Sequence, residues 1–221
     1  MRALPAMFEM FEYLAAECSP ETMRPGSMGA AIFEARDRGV VTPEEVPGLL
    51  SVYSTGGLDT TIHAITTGIR LLIDHPDQWD LVRENPKLVT SAFNEILRYA
   101  GPAHGLARTL TRDHTIGGVP VPAGARFIIL YSAANRDERH YADPDRFDVT
   151  RNPVDHLGFG NGAHMCPGAP IARLEGRYVF EAFAHRVRRF TLDGEPERLL
   201  NNTMRGYRHL PVAVEPAAPK G

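Results

Sequence analysis

The chain has 221 residues, 43% of them hydrophobic, with 24 basic and 27 acidic side chains and a formal net charge of −3. That length and apolar content suit a globular protein with a buried core, and the near-neutral balance gives no electrostatic reason to expect nucleic acid or an anionic membrane as partner. Cys18 and Cys166, far apart and in unlike surroundings, argue against a secreted disulfide framework; with no signal-peptide pattern in residues 1–8, the cytoplasm is the expected location.

Residues 7–18 place Met7, Met10, Phe11, Leu14 and Ala15 at helical spacing before Ser19-Pro20 breaks the pattern, and residues 28–38 form a second helical stretch closed by Gly39. Thr42-Pro43-Glu44-Glu45 reads as an N-cap, a first-turn proline and two acids that suit the helix dipole, so a long helix is expected over 43–74. Because it is apolar on most faces, that helix is expected to be covered nearly all round, at the centre of the fold. It also carries Gly56-Gly57, Asp59, His63 and Arg70, which are costly in lipid, so no membrane span is expected. Helices follow over 77–84, 86–99 and 169–189, while residues 105–132 change period and hold short strands at 106–110, 114–116 and 127–130. The fold class is therefore mainly α with a minor β-sheet. Residues 142–168 are rich in Gly, Pro, Asp and Asn, and a loop of that length inside a compact chain is usually functional.

The end of that loop is Phe159-Gly-Asn-Gly-Ala-His-Met-Cys-Pro-Gly168. Glycines let the backbone pass close to a flat ligand, and Cys166 stands where a helix begins, so amide groups and the helix dipole favour its thiolate. A structural cysteine beside a turn is the plainer alternative. Three other short patterns accompany it. Glu95 and Arg98 lie one turn apart on one helix face and, taken alone, read as a surface ion pair. Gly56-Gly57-Leu-Asp59-Thr60-Thr61 places a double glycine, costing about 2 kcal/mol of helix propensity, before two polar residues; a kink with an N-cap-like Asp-Thr accounts for it, and so does a site. Tyr141-Ala-Asp-Pro144-Asp-Arg146-Phe147 precedes the cysteine loop.

Phe159, Gly162, Cys166 and Gly168, spaced Phe-x-x-Gly-x-x-x-Cys-x-Gly and joined in order by those three patterns, resemble the haem-thiolate loop and its companions in the cytochrome P-450 family. The resemblance runs over about residues 7–214. It implies a truncated cytochrome P-450 fold, with residues 1–221 as the carboxy-terminal haem-binding half of one domain and the amino-terminal half absent. It implies haem b, iron protoporphyrin IX, with Cys166 as axial ligand to the iron. A thiolate ligand of that kind favours cleavage of the O–O bond in dioxygen. The implied activity is that of a soluble, bacterial-type monooxygenase that hydroxylates or O-demethylates a small organic substrate, an aromatic acid being one class. Its electrons would come from NAD(P)H through a reductase and a ferredoxin-type donor.

Residue by residue, the resemblance makes Asp59 and Thr60 the proton-handling pair and sets Gly56, Arg108, His156, Phe159, Gly160, His164 and Gly168 against the haem. Arg108, His156 and His164 would face its propionates. Glu95, Arg98 and Arg146 become a buried structural triad, and Thr55, Ala103 and Thr203 line the substrate pocket. Arg173, Arg177, Arg186, Arg188 and Arg189 are expected on the helix after the cysteine, either to receive an acidic ferredoxin or as a solvated basic face. The long apolar helix is expected to lose part of its cover, so that this chain alone does not close a complete haem pocket. A haem-binding but inactive module and a remnant without ligand stay open as alternatives.

Overall fold

The computed structural model describes residues 3–218, so Met1 and Arg2, part of the stretch read for a signal peptide, lie outside them. The chain divides into two units, one up to Asp59 and one from Thr60 onward. In the first, α1 (Ala3–Glu17) and α2 (Met28–Asp37) precede a 3-10 turn at Pro43–Glu45 that leads into α3 (Val46–Asp74). The Ser27 hydroxyl accepts the Ala30 amide at 3.1 Å and caps α2. The Glu45 carboxylate accepts the Thr42 amide at 2.9 Å, so the Thr-Pro-Glu-Glu run opens a helix as its spacing predicts. Leu14, Ile32, Phe33, Val46 and Leu50 are buried together as the apolar centre of this unit.

The second unit continues from α3 through α4 (Pro76–Glu84), a 3-10 turn at Pro86–Leu88, α5 (Val89–Ala100), β1 (Leu106–Thr109), β2 (His114–Ile116), β3 (Val119–Val121), β4 (Arg126–Ile129) and α6 (Tyr131–Ala134). After a long loop come α7 (Ala169–Arg186), β5 (Val187–Leu192), β6 (Glu197–Arg198), β7 (Tyr207–His209) and β8 (Val212–Pro216). The strands pair antiparallel two by two, β1 with β4, β2 with β3, β5 with β8 and β6 with β7. The expected minor sheet is thus a set of separate hairpin-like pairs.

Two expectations are corrected here. First, α3 is not covered all round, in line with the loss of part of its cover also expected for it: Val52, Leu58 and Ile62 are each more than half exposed, and the helix assignment is continuous through Gly56-Gly57. The most deeply buried helix is α5, in which every residue from Ser91 to Arg98 is buried. Second, α7 stops at Arg186 rather than 189. Val187-Arg-Arg-Phe-Thr-Leu is a β-forming run, and its pairing with β8 sets Phe190 against Trp79 at 5.2 Å between ring centroids. Arg188 and Arg189 therefore belong to a strand.

The core of the second unit gathers Trp79, Val82, Ile96, Leu97, Phe147, Val149, Phe180 and Phe190. Close helix contact depends on glycine. At Gly68 of α3 a methyl group would meet Ile96 and Phe180, and at Gly176 of α7 it would meet the face of Phe93 on α5. Because the Phe93 ring is itself buried and cannot swing away, Gly176→Ala is expected to destabilise the protein by about 1–3 kcal/mol, read as a lowered urea midpoint at unchanged slope.

Candidate functional site

The site is built outward from α5. Glu95 and Arg98 face each other through two parallel bonds, Arg98 Nε to Glu95 Oε2 at 2.7 Å and Arg98 Nη2 to Glu95 Oε1 at 2.8 Å, with both side chains at 0% exposure. The pair is thus buried, not a surface bridge. Arg98 spends its other donors on backbone carbonyls: Nη1 on Asn135 at 2.8 Å and Pro144 at 2.9 Å, Nη2 on Arg146 at 3.2 Å. Glu95 Oε1 also accepts the Asp148 amide at 3.0 Å. One ion pair therefore fastens the 135 turn and the 144–148 segment to α5.

The expected third member is corrected. Arg146 enters only through its carbonyl; the guanidinium beside Glu95 is that of Arg151, with Nε 3.5 Å from Oε1. Phe147 and Val149 are buried, Arg151 in the turn that follows them is half-buried, and Arg146 is exposed. Arg151 then gives Nη1 to the Ala142 carbonyl at 2.7 Å and Nη2 to the Asp143 carbonyl at 3.1 Å, closing the 142–151 turn on itself. Gln78 and Ser91 complete the anchorage: the Gln78 side-chain oxygen accepts the Val149 amide at 3.0 Å, and the Ser91 hydroxyl accepts the Asn152 amide at 3.0 Å.

The cysteine loop hangs from the same frame. Asn135 is buried, and its side-chain oxygen accepts the Leu157 amide at 2.7 Å, fixing where the loop starts. The turn closes when the Cys166 amide donates to the Phe159 carbonyl at 2.8 Å, with Met165 donating to Gly162 at 3.0 Å inside it. Gly160 and Gly162 sit at φ +70° and +68°, where side chains are strained. Cys166 is a half-buried free thiol three residues before α7. His156 is buried, and its Nδ1 accepts the Gly158 amide at 2.9 Å, which leaves the ring proton on Nε2. Among the described residues, that buried Nε2 has no hydrogen-bond partner. Burial, helped by the charge of Arg173, pushes the His156 pKa down to about 4, so the ring is neutral at pH 7.

The other expected residues are more dispersed. Arg108 gives Nη1 to the Ala107 carbonyl at 2.9 Å, and His164 is exposed in the 3-10 turn Gly162–His164. Ala103 and Met204 form an isolated antiparallel bridge, which brings Ala103 beside Thr203; the Thr203 hydroxyl is held by the Asn201 side chain at 3.0 Å. A cavity of about 600 Å³ near that bridge is lined by Arg70, Tyr99, Arg136, Arg198, Arg205 and Tyr207 among others, and Cys166 is not part of its wall. Thr55 donates to the Ser51 carbonyl at 2.7 Å along α3, where Asp59 is exposed and Thr60 half-buried. Of the five arginines expected to form a basic face, Arg177, Arg188 and Arg189 stand near Glu181, Glu215 and Asp80, which removes most of the free charge. No helix among the described residues is long and apolar enough to cross a membrane.

Residues 26–211 match the family model described as Cytochrome P450. The chain belongs to the cytochrome P450 family. Cytochrome p450 CYP199A2 of Rhodopseudomonas palustris is 40% identical over 205 residues, which cover 93% of this chain and 50% of that protein. Linalool 8-monooxygenase of Pseudomonas putida is 40% identical over 169 residues, 76% of this chain and 42% of that protein. Among solved structures, the cytochrome P450 enzyme CxnD, for C–S bond formation in chuangxinmycin biosynthesis, superposes with a TM-score of 0.85 at 36% identity, over 94% of this chain and 53% of CxnD. The fold is thus that of part of a P450, as expected, and the chain spans about half the length of the curated relatives it matches. The haem that the family implies fits the residues present: a glycine-rich turn carries a free thiol, and a buried imidazole N–H lacks the acceptor that a carboxylate would supply.

Substitutions in the buried pair and a pH dependence test this frame. Glu95→Gln leaves the Arg98 cation buried without its counter-charge and is expected to cost about 3–5 kcal/mol in urea unfolding. Arg151→Ala should cost about 1–3 kcal/mol, whereas Arg146→Ala, which keeps the carbonyl, should stay within about 0.5 kcal/mol. With His156 lowered to about 4 in the folded chain against 6.5 unfolded, the unfolded state binds the extra proton between those values, so stability is full at pH 7 and falls as pH drops from 6.5 towards 4. His156→Asn is expected to remove about 3 kcal/mol of that fall, measured as the difference in unfolding free energy between pH 7 and pH 4.

Proposed function

We propose that this chain is the haem-binding part of a single monooxygenase domain that uses dioxygen to oxidise a small organic molecule, with Cys166 as the thiolate ligand of the iron. What carries the reading is the closed turn from Phe159 to Cys166 at the head of α7, held to the buried Glu95–Arg98 pair and found in a chain of this family. Bound haem b supplies the redox-active iron at which dioxygen is activated. The chain's own residues have separate tasks. The Cys166 sulfur, deprotonated, gives the iron an anionic ligand, and the glycines of its turn leave room for a flat ring. His156 offers its spare N–H to a propionate, with Arg108 and His164 as further donors to the same carboxylates.

Asp59 and Thr60 follow one another on α3. An exposed carboxylate is in reach of solvent for proton exchange, and a neighbouring hydroxyl can accept and donate a hydrogen bond, so this pair is assigned to proton delivery. Ala103, Thr203 and Thr55 are assigned to the substrate pocket. Hydroxylation or O-demethylation is the reaction proposed, and an aromatic acid is one substrate class. The relatives' names span linalool, dihydromenaquinone and steroid oxidation and so do not converge on one substrate. Electrons are assigned to NAD(P)H through a reductase and a ferredoxin-type protein, and the enzyme to the cytoplasm.

A non-catalytic fragment is the second reading, and the exposed Val52, Leu58 and Ile62 of α3 favour it, because a working pocket has to exclude water from its walls. The two are separated by loading the purified chain with haemin, reducing it and adding carbon monoxide, then offering candidate acids with a reductase and ferredoxin. A thiolate-type carbon monoxide band that vanishes in Cys166→Ser supports the ligand assignment, and the same band in both proteins would refute it. Haem uptake well below one per chain, without product, would favour the fragment.

A further inference from the structure

Arg173 was expected among surface cations, yet it is half-buried and turned back towards the cysteine loop. Its guanidinium carbon stands 4.6 Å from the centroid of the Phe159 ring, and its Nε donates to the side-chain oxygen of Asn94 at 3.3 Å. Asn94 is buried on α5, one residue before Glu95, and its amide nitrogen reaches the Asn152 side chain at 3.4 Å. Phe159 supplies the carbonyl that takes the Cys166 amide. A planar cation from the second turn of α7 thus lies across the residue that closes the cysteine turn, tied at its other side to the most buried helix.

We propose that Arg173 is a positioning residue for Cys166, holding the Phe159 end of the turn by stacking on its ring while its Nε is fixed on Asn94. The claim rests on the reading of Cys166 as a ligand only where haem is concerned; the hold on the turn belongs to the chain itself. Stacking requires a flat, delocalised cation, and the bond to Asn94 requires a donor at the Nε position, so lysine keeps the charge and loses both. The Arg173 charge also adds to the lowering of the His156 pKa, which is consistent with its place inside the loop and not over solvent.

The test compares wild type, Arg173→Lys and Arg173→Ala as haem-free full chains. Cys166 is alkylated with iodoacetamide, and Cys18, the other free thiol, serves as internal reference. Loss of the stacking contact is expected to raise the Cys166 rate relative to Cys18 by about three- to fivefold in both variants. A wild-type ratio in Arg173→Lys would show that charge alone suffices and would overturn the proposal, as would an unchanged ratio in Arg173→Ala. If Arg173→Ala does not fold, Arg173→Lys carries the test alone. In parallel, haem-loaded Arg173→Lys should show a smaller thiolate-type fraction of its carbon monoxide spectrum than wild type. Absence of that band in wild type itself would count against the ligand reading, while leaving the alkylation result to decide the role of Arg173.

Discussion

A carboxylate and a guanidinium with no exposed surface hold this structure together at the point where chemistry is proposed. Glu95 and Arg98 gain little net stability from their mutual attraction, because both lost their water to be there. Their weight lies in the asymmetry of that cost: once the pair is buried, every remaining donor and acceptor on it must be used. Arg98 has donors left over after Glu95, and the Asn135, Pro144 and Arg146 carbonyls take them. Glu95 has lone pairs left over; the Asp148 amide takes one, and the Arg151 guanidinium stands 3.5 Å away as a second counter-charge without a hydrogen bond. A loop poor in apolar residues is thereby given a fixed course by hydrogen-bonding demand, where hydrophobic packing alone would leave many courses equal.

The cysteine turn inherits its position from this demand in two steps. The Asn135 backbone is bound to Arg98, and its side chain holds the Leu157 amide, so the start of the turn is set relative to α5. The far end joins α7, whose packing on α5 is fixed by Gly176 against Phe93. Between those anchors the Cys166 amide closes on Phe159. All of these bonds are made within the protein, so the turn's shape is not something a ligand has to impose, which is the condition for a metal ligand to be presented at low reorganisation cost.

Much of this was legible in the sequence, and what was not failed for physical reasons. The start of α3 was readable because capping is local: Thr42 and Glu45 act on each other within one turn, whereas the Ser27 cap of α2 became visible only in the structure. The Glu95–Arg98 spacing was readable as a pair, but its burial was not, since burial depends on what packs against α5 from far along the chain. Arg146 and Arg151 are equally basic in the sequence, and choosing between them depended on which side chain the turn at 149–151 brings beside Glu95, which nothing local specifies. The α7–β5 boundary was missed because Val187 to Arg189 follow a helix without proline or glycine, so only pairing with β8, some two dozen residues on, decides their conformation. Arg173 looked like any helix-surface arginine, and nothing local marks a cation that folds back onto a ring in the preceding loop.

The glycines of the cysteine loop illustrate how one motif mixes unlike constraints. Gly162 stands at φ +68° with open space around the position of a Cβ, so what it supplies is backbone conformation. Gly168 has φ −82°, a value any residue adopts, and there a Cβ would lie 3.7 Å from the Cys166 sulfur. A methyl group there would rest in ordinary van der Waals contact with the sulfur, so what glycine contributes is an open flank beside the thiol. Cys166 has already spent its own amide on Phe159, and the Ala169 amide at the start of α7 is spent on the Cys166 carbonyl, so the backbone around the thiol is bonded within the turn itself. A side chain at 168 would not strain the backbone; it would cover part of the sulfur. Two glycines that look alike in sequence thus guard different quantities, one the course of the chain and one the exposure of a single atom.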